Sequence, residues 1–205
     1  MVRKRYHHGE LRRALLDAAE ELVRERGDTG WSLREASAQV GVSPSAAYHH
    51  FASRDALMHA LSERVLAQLG TRMSAAAAET AGPDVDDLRG ILAAGRAYIR
   101  WITNDPAVAR LAFGFRARGY EVACSPHPQD VIEAELDRLV DAGVLSKAAR
   151  DGAGCTVWAA VHGLGTLLAD KLVSLADTEV ADLQTERLLR AVLAGLALES
   201  TPPRG

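Results

Sequence analysis

The sequence predicts an all-α protein, a three-helix head followed by a larger helical bundle, about nine helices in all. Three observations carry this. Alanine, leucine and arginine are abundant, and all three are strong helix formers. No run of β-branched residues alternates with polar ones, the pattern that a half-buried strand requires. Apolar residues return at i, i+4 and i+7 along most of the chain, the spacing that gathers them on one face of a helix. With 205 residues, 48% apolar and 25% charged, the chain is long enough to bury a sizeable core in one or two domains.

The first helix is expected over about Glu10 to Arg26, with Leu11, Leu15, Ala18 and Leu22 in one stripe. Gly27 stops it and Asp28-Thr29-Gly30 makes a turn. Ser32, with Glu35 three residues later, is a capping-box pattern, and Leu33, Ala36 and Val40 form the inner face of the second helix. Gly41 ends that helix. Ser43 is a good N-cap and Pro44 a good first-turn residue for a short third helix, ending near His50. Phe51 is expected to plug the core where the chain turns back. Ser53 caps the fourth helix, Asp55 suits its positive end, and Leu57, Leu61, Val65 and Leu69 continue it toward the alanine run at 75–78.

Thr80-Ala81-Gly82-Pro83 marks a boundary or sharp bend. A fifth helix is expected from Val85 to Thr103, with Leu88, Leu92 and Ile99 inside. Asp105-Pro106 opens a short sixth helix containing Leu111 and Phe113. Residues 114–128 read as an irregular loop. The seventh helix runs from Gln129 to Ala142, stopped by Gly143. The eighth reads as one long helix from Ala148 to Ala176, carrying Val157, Val161, Leu164, Leu168 and Leu172. The ninth runs from Val180 to Leu198 and is apolar nearly all round from Ala191. Such a helix needs cover on more than one side, and a partner subunit is the expected cover. Gly163 and Gly165 each cost the eighth helix about 1 kcal/mol relative to alanine. Close approach of another helix is the expected return.

Several function classes are excluded. No apolar stretch reaches the roughly 18 residues of a membrane span. The basic N-terminus has no apolar segment behind it, so it does not read as a secretory signal, and a cytoplasmic location is expected. Cys124 and Cys155 lack CxxC spacing and read as free thiols rather than as a disulfide or metal pair. His7 and His8 have no further ligand nearby in sequence, so no metal is expected. Neither a nucleophile elbow, a phosphate loop nor a metal spacing appears. No catalytic residue and no cofactor is therefore assigned, and the chain does not read as an enzyme.

Charge is unevenly placed. Residues 1–13 carry Arg3, Lys4, Arg5, Arg12 and Arg13 against Glu10 alone, although the whole chain is at −3. The basic end is also the end with two short helices joined by a tight turn, at residues 31–58. In that arrangement the later helix lies in the major groove of DNA and its first residues meet base edges and phosphates. Ser43, Pro44, Ser45, Tyr48 and His49 are the candidates. Ser32 and Arg54 stand at helix N-termini, where backbone N–H groups favour phosphate. A basic segment beside such a motif is expected to contact phosphates.

These residues carry a resemblance. From Leu11 to about Leu69 the chain resembles the DNA-binding domain of TetR-type transcriptional regulators. The match lies in the Ala18-Ala19 pair, the capped second helix, Gly41-Val42-Ser43, the Tyr48-x-x-Phe51 pair and the run from Ser53 to Leu57. Ala36 and Ala47 depart from it, standing where the family has bulky aliphatic residues; Trp31 and Leu33 are expected to fill the lost volume. Trp158-Ala-Ala-Val-His162-Gly163 resembles the Trp/His/Gly signature of one C-terminal subgroup, as does the N-terminal run RKRYHHGELRRALL.

The resemblance implies a basic arm at 1–9, a DNA-binding domain at 10–55 and a ligand-sensing and dimerisation domain at 56–205. It implies a homodimeric, ligand-responsive repressor that binds a pseudo-palindromic double-stranded operator and responds to a small-molecule effector. Arg34 matches a position where the family places a base- or phosphate-contacting arginine. In the sensing domain Tyr98, Trp101, Phe113, Phe115, Trp158 and His162 are candidate pocket residues. Each is also an ordinary core or interface candidate. Dimerisation is expected through the last two helices, with Trp158, Gly163, Leu168, Val192 and Leu196 at the contact.

Overall fold

The structure, a computed structural model, describes residues 8–80, 87–117 and 123–199. Ten α-helices and no strand occur among them: α1 (His8–Arg26), α2 (Leu33–Val40), α3 (Pro44–Tyr48), α4 (Arg54–Ala78), α5 (Arg89–Asn104), α6 (Pro106–Ala117), α7 (Pro128–Asp141), α8 (Lys147–Arg150), α9 (Ala153–Ala169) and α10 (Thr178–Glu199). No helix among the described residues is long and apolar enough to cross a membrane. The chain divides into two compact units. One comprises Met1–Val65 with Ala107–Cys124, the other Leu66–Pro106 with Ser125–Gly205. Residues 56–65 and 107–124 group with the helix–turn–helix segment in the first unit.

In the first unit the stripe Leu11, Leu15, Ala18 and Leu22 is buried, joined by Leu16, Ala19 and Val23. α2 packs on α1 and α3, with Leu33 and Ala36 inward. Gly41 closes α2 in a left-handed conformation, φ 80°, which costs glycine nothing. The core has small residues where α2 and α3 meet it, since Ala36 and Ala47 are fully buried. Trp31 and Leu33 are buried with them. The Trp31 Nε1–H donates to the Gly27 carbonyl at 3.1 Å, which satisfies the one polar atom of that ring. On α4, Leu57, Leu61 and Val65 are buried. The buried Ser62 hydroxyl donates to the Ala112 carbonyl on α6 at 2.9 Å. Arg64 of α4 bridges Asp17 at 2.5 Å and Glu20 at 2.6 Å on α1.

The second unit is built round α5, which contacts α7, α9 and α10 and buries Ile91, Leu92, Tyr98, Ile99 and Ile102. Glycines leave room for close neighbours, as two positions illustrate. A Cβ on Gly165 of α9 would lie 2.9 Å from Ile102 Cγ2 and 3.1 Å from Tyr98 Cε1, and one on Gly70 of α4 would lie 2.0 Å from the Pro126 carbonyl oxygen.

Three expectations are corrected. The eighth helix is two helices: Ser146 caps the four residues of α8, Gly152 turns the chain at φ 71°, and α9 starts afresh at Ala153. α9 also stops at Ala169, so Leu172, counted in the stripe, lies in the following loop. The sixth helix passes through Gly114 to Ala117, because one glycine costs a helix only about 1 kcal/mol. α5 starts at Arg89, after a turn at 87–88. Of the basic arm, residues 1–7 lie outside the described residues, as do Ala81, Gly82 and Pro83.

Candidate nucleic-acid interface

α3 has two faces. Ala47 points inward and is fully buried, and Phe51, just beyond the helix, is buried with it. Pro44, Ser45 and Tyr48 lie at i, i+1 and i+4 on the opposite side and are exposed, as are Ser43 and His49. Tyr48 is 48% exposed, a high value for an aromatic residue that packing does not require there. The Ser43 hydroxyl accepts from the Ala46 N–H at 3.2 Å, and Pro44 follows at the first helical position, so the sequence sets the start of α3 firmly. Arg34 is exposed on the first turn of α2 and makes no ion pair among the described residues. These side chains form an outward set of hydroxyl, phenol, imidazole and guanidinium donors.

Ser32 and Arg54 are engaged differently. The Ser32 hydroxyl accepts from the Glu35 N–H at 3.3 Å and donates to the Glu35 carboxylate at 2.9 Å, and the Ser32 N–H donates to the same carboxylate at 2.8 Å. This is the expected capping box, closed by Arg26 donating to Glu35 at 2.9 Å. The Ser32 hydroxyl, then Arg26, holds the Glu35 carboxyl below its usual range. Arg54 turns back onto the α1–α2 turn. Its guanidinium lies 4.3 Å over the Trp31 ring and donates to the Asp28 carbonyl. Ser53, not Arg54, caps α4, its hydroxyl accepting from the Ala56 N–H at 3.0 Å.

Two family models match this chain. One describes the bacterial regulatory proteins of the tetR family and covers residues 15–61. The other describes the tetracyclin repressor-like C-terminal domain and covers residues 91–196, half of the chain. The chain belongs to the TetR family. It is a transcriptional regulator with a DNA-binding helix–turn–helix. The transcriptional regulator BetI of Brucella anthropi is 35% identical over 72 residues, 35% of this chain and 37% of that regulator. The chain thus matches little more than a third of that relative's length. A solved TetR-family regulator from Pectobacterium atrosepticum is similar at TM-score 0.67 and 25% identity, over 93% of this chain and 95% of that one. A protein of unknown function from Rhodococcus sp. RHA1 is similar at TM-score 0.73 and 25% identity, over 95% of this chain and 99% of that one.

In the C-terminal part of this TetR-family chain, three of the aromatic candidates meet. Tyr98 is fully buried and its hydroxyl lies 2.6 Å from His162 Nδ1. The Trp158 ring stacks on His162 at 5.5 Å and 11°, and Tyr98 meets Trp158 edge-on at 5.3 Å. His127 joins them, 6.5 Å from Trp158; its Nδ1 accepts from the Gln129 N–H at 3.1 Å at the start of α7. Nothing local in the sequence pointed to His127, since it reaches the cluster only through tertiary packing. Trp101 is half-buried. Phe113 belongs to the other compact unit, and the Phe115 side chain lies outside the described residues.

Burial pushes the Tyr98 phenol far above its usual value and the His162 imidazole down. At neutral pH the phenol therefore keeps its proton and the imidazole is neutral. The assignment that uses both is O–H donating to Nδ1, with the ring proton on Nε2. Because the folded His162 value is depressed, unfolded chains bind more protons as the medium is acidified. Stability from this site is present above the unfolded histidine value of about 6.5 and is lost as pH falls through the folded one. Urea midpoints measured from pH 7.5 to 5 should fall more steeply for wild type than for His162→Asn; parallel curves would remove His162 from the account.

A separate cleft of about 400 Å³ lies between the end of α5, the loop after α9 and the start of α10, lined by Ile99, Arg100, Thr103, Leu168 and Lys171 among others. No aromatic candidate lines it, whereas Leu168, expected at the dimer contact, does. Gly163 and Gly165 of α9 also part company. Residues two apart on a helix lie about 200° round its axis, so they cannot serve one neighbour. Gly165 faces α5, while a Cβ on Gly163 would meet nothing within 4 Å. Leu196 is already covered within its own chain, and Trp158 and Val192 are half-buried. Leu183 at 61%, Leu198 at 74% and Leu172 at 72% exposure are the larger apolar groups left outside.

Proposed function

We propose that this regulator is a ligand-responsive repressor that binds a pseudo-palindromic operator as a homodimer in the cytoplasm, with no catalytic activity. The observation that carries the reading is the outward face of α2 and α3, where Arg34, Ser43, Pro44, Ser45, Tyr48 and His49 are exposed while the opposite face is core. Residues 10–55 are the DNA-reading part, and residues 56–205 sense the effector and dimerise. Exposed Leu183 and Leu198 on α10, Leu167 on α9 and open Gly163 support dimerisation through these two helices. Two recognition helices then enter major grooves about one helical turn, or a multiple, apart.

The effector is a small molecule taken up near Tyr98, Trp158 and His162, where an apolar, aromatic surround meets two polar groups. It lowers operator affinity only by the difference in its affinity for the two states, about 1–3 kcal/mol.

The reading is tested by fluorescence anisotropy on the DNA upstream of the gene at low salt. Wild type should prefer that DNA to an unrelated duplex. Arg34→Ala should weaken binding by about 5- to 150-fold, the equivalent of the roughly 1–3 kcal/mol of a bidentate base contact, and Tyr48→Ala should weaken it too. Undiminished binding in both variants leaves the head without this role. A reporter strain lacking the gene separates repression, which raises transcription on deletion, from activation.

A further inference from the structure

We propose that Arg12 is a phosphate clamp of the head, held ready by the ring of Phe51; the inference rests on the DNA-binding reading of that head. The Arg12 guanidinium carbon lies 5.2 Å from the Phe51 ring centroid. Phe51 is 4% exposed and follows directly on α3, its N–H donating to the Ala47 carbonyl at 3.0 Å. The ring is therefore a fixed platform attached to the end of the recognition helix. A guanidinium stacked on a ring uses its face. Its five N–H donors lie in the plane, so the edge that suits a phosphate stays available while the side chain is already ordered.

The other arginines of the head sharpen the assignment. Arg24 pairs with Glu20, Arg26 with Glu35, and Arg64 with Asp17 and Glu20, while Arg54 lies over Trp31. Their charge is committed within the chain. Arg12, Arg13 and Arg34 make no ion pair among the described residues. Of the adjacent pair only Arg12 has a ring beneath it, since Arg13 lies about 100° further round α1. An exposed cation that is ordered but not neutralised, beside the end of α3, fits the polyanionic backbone of duplex DNA. Ordering before binding removes part of the cost of immobilising a long side chain. A phosphate contact reads no sequence, so the effect should be the same on operator and on unrelated DNA.

The test is the salt dependence of binding. Each neutralised phosphate contributes about 0.9 to the slope of log affinity against log salt, and a dimer carries two copies of Arg12. Arg12→Ala should bind both DNAs more weakly. Its disadvantage against wild type should shrink about tenfold between roughly 50 and 200 mM salt. Arg12→Lys, which keeps the charge but not the planar stack, should keep the slope and lose affinity. Phe51→Leu, which keeps an apolar plug but removes the ring, should weaken binding in the wild-type background and not further in Arg12→Ala. An unchanged slope in Arg12→Ala, with DNA-binding wild type, overturns the proposal even if affinity or melting temperature drops, because that is the signature of a packing role. A wild type that binds no DNA at low salt overturns instead the reading on which it rests.

Discussion

Phe51→Ala is expected to destabilise the head by about 3–5 kcal/mol. The ring is buried at 4% exposure at the point where the chain leaves α3, and its removal withdraws both its transfer free energy and its packing contacts. Little nearby can collapse into the space. Ala47, whose carbonyl accepts the Phe51 N–H, is already small and fully buried. The measurement is urea unfolding followed by the fluorescence of Trp31, with Trp101 and Trp158 replaced by phenylalanine so that the signal reports on the head. A loss below about 1 kcal/mol would place the residue among the tolerant surface positions and would contradict its role as a core plug.

Gly70→Ala is the second large effect, and here two opposed contributions can be compared. Alanine in a helix interior gains about 1 kcal/mol over glycine. Against this, the new Cβ would stand 2.0 Å from the Pro126 carbonyl oxygen and 2.8 Å from its carbonyl carbon. Both are backbone atoms, which cannot rotate away as a side-chain tip can. Overpacking of this kind costs typically about 1–3 kcal/mol, occasionally more, so the clash wins. The melting temperature should fall by about 2–4 °C per kcal/mol lost. Gly163→Ala is the control: with nothing within 4 Å, it should leave the isolated chain as stable as wild type or more so. A Gly70→Ala variant that melts no lower than Gly163→Ala would show that residues 125–127 do not press on α4.

Legibility followed the range of the interactions involved. Caps are local, and Ser32 with Glu35, Ser43 with Pro44, and Ser53 each act where their spacing placed them. The stripe of α1 was readable for the same reason, since one periodic face suffices to predict it. The outward set on α3 follows once Ala47 and Phe51 are known to face in. The C-terminal half was harder. Leu172 continues the apolar stripe past the true end of α9, and periodicity alone cannot separate a helix from an apolar loop. Asp151-Gly152 was the missed turn signal. Arg54 could be placed at a helix start, but that its guanidinium lies over Trp31 depends on a partner far away in sequence. Tyr98, Trp158 and His162 could be named as aromatic candidates, but that a phenol and an imidazole would meet at 2.6 Å depends on two helices crossing.

The hydrogen bond from Ser62 to the Ala112 carbonyl bears on how such regulators recombine. The family model for the head covers one continuous stretch, residues 15–61, which invites the idea of a module exchangeable by a single crossover. The compact unit says otherwise, because it includes Ala107–Cys124. Val108, Leu111 and Ala112 bury their side chains there, and a buried serine hydroxyl needs the carbonyl they bring. A chimaera that exchanges only the first 65 residues inherits a head with one wall supplied by a stranger. The backbone acceptor would survive that exchange, since every residue has a carbonyl; the fit of three apolar side chains would not. The intact unit can therefore be transplanted only with two segments of gene, and a lineage that shuffles heads must carry both or repack the seam.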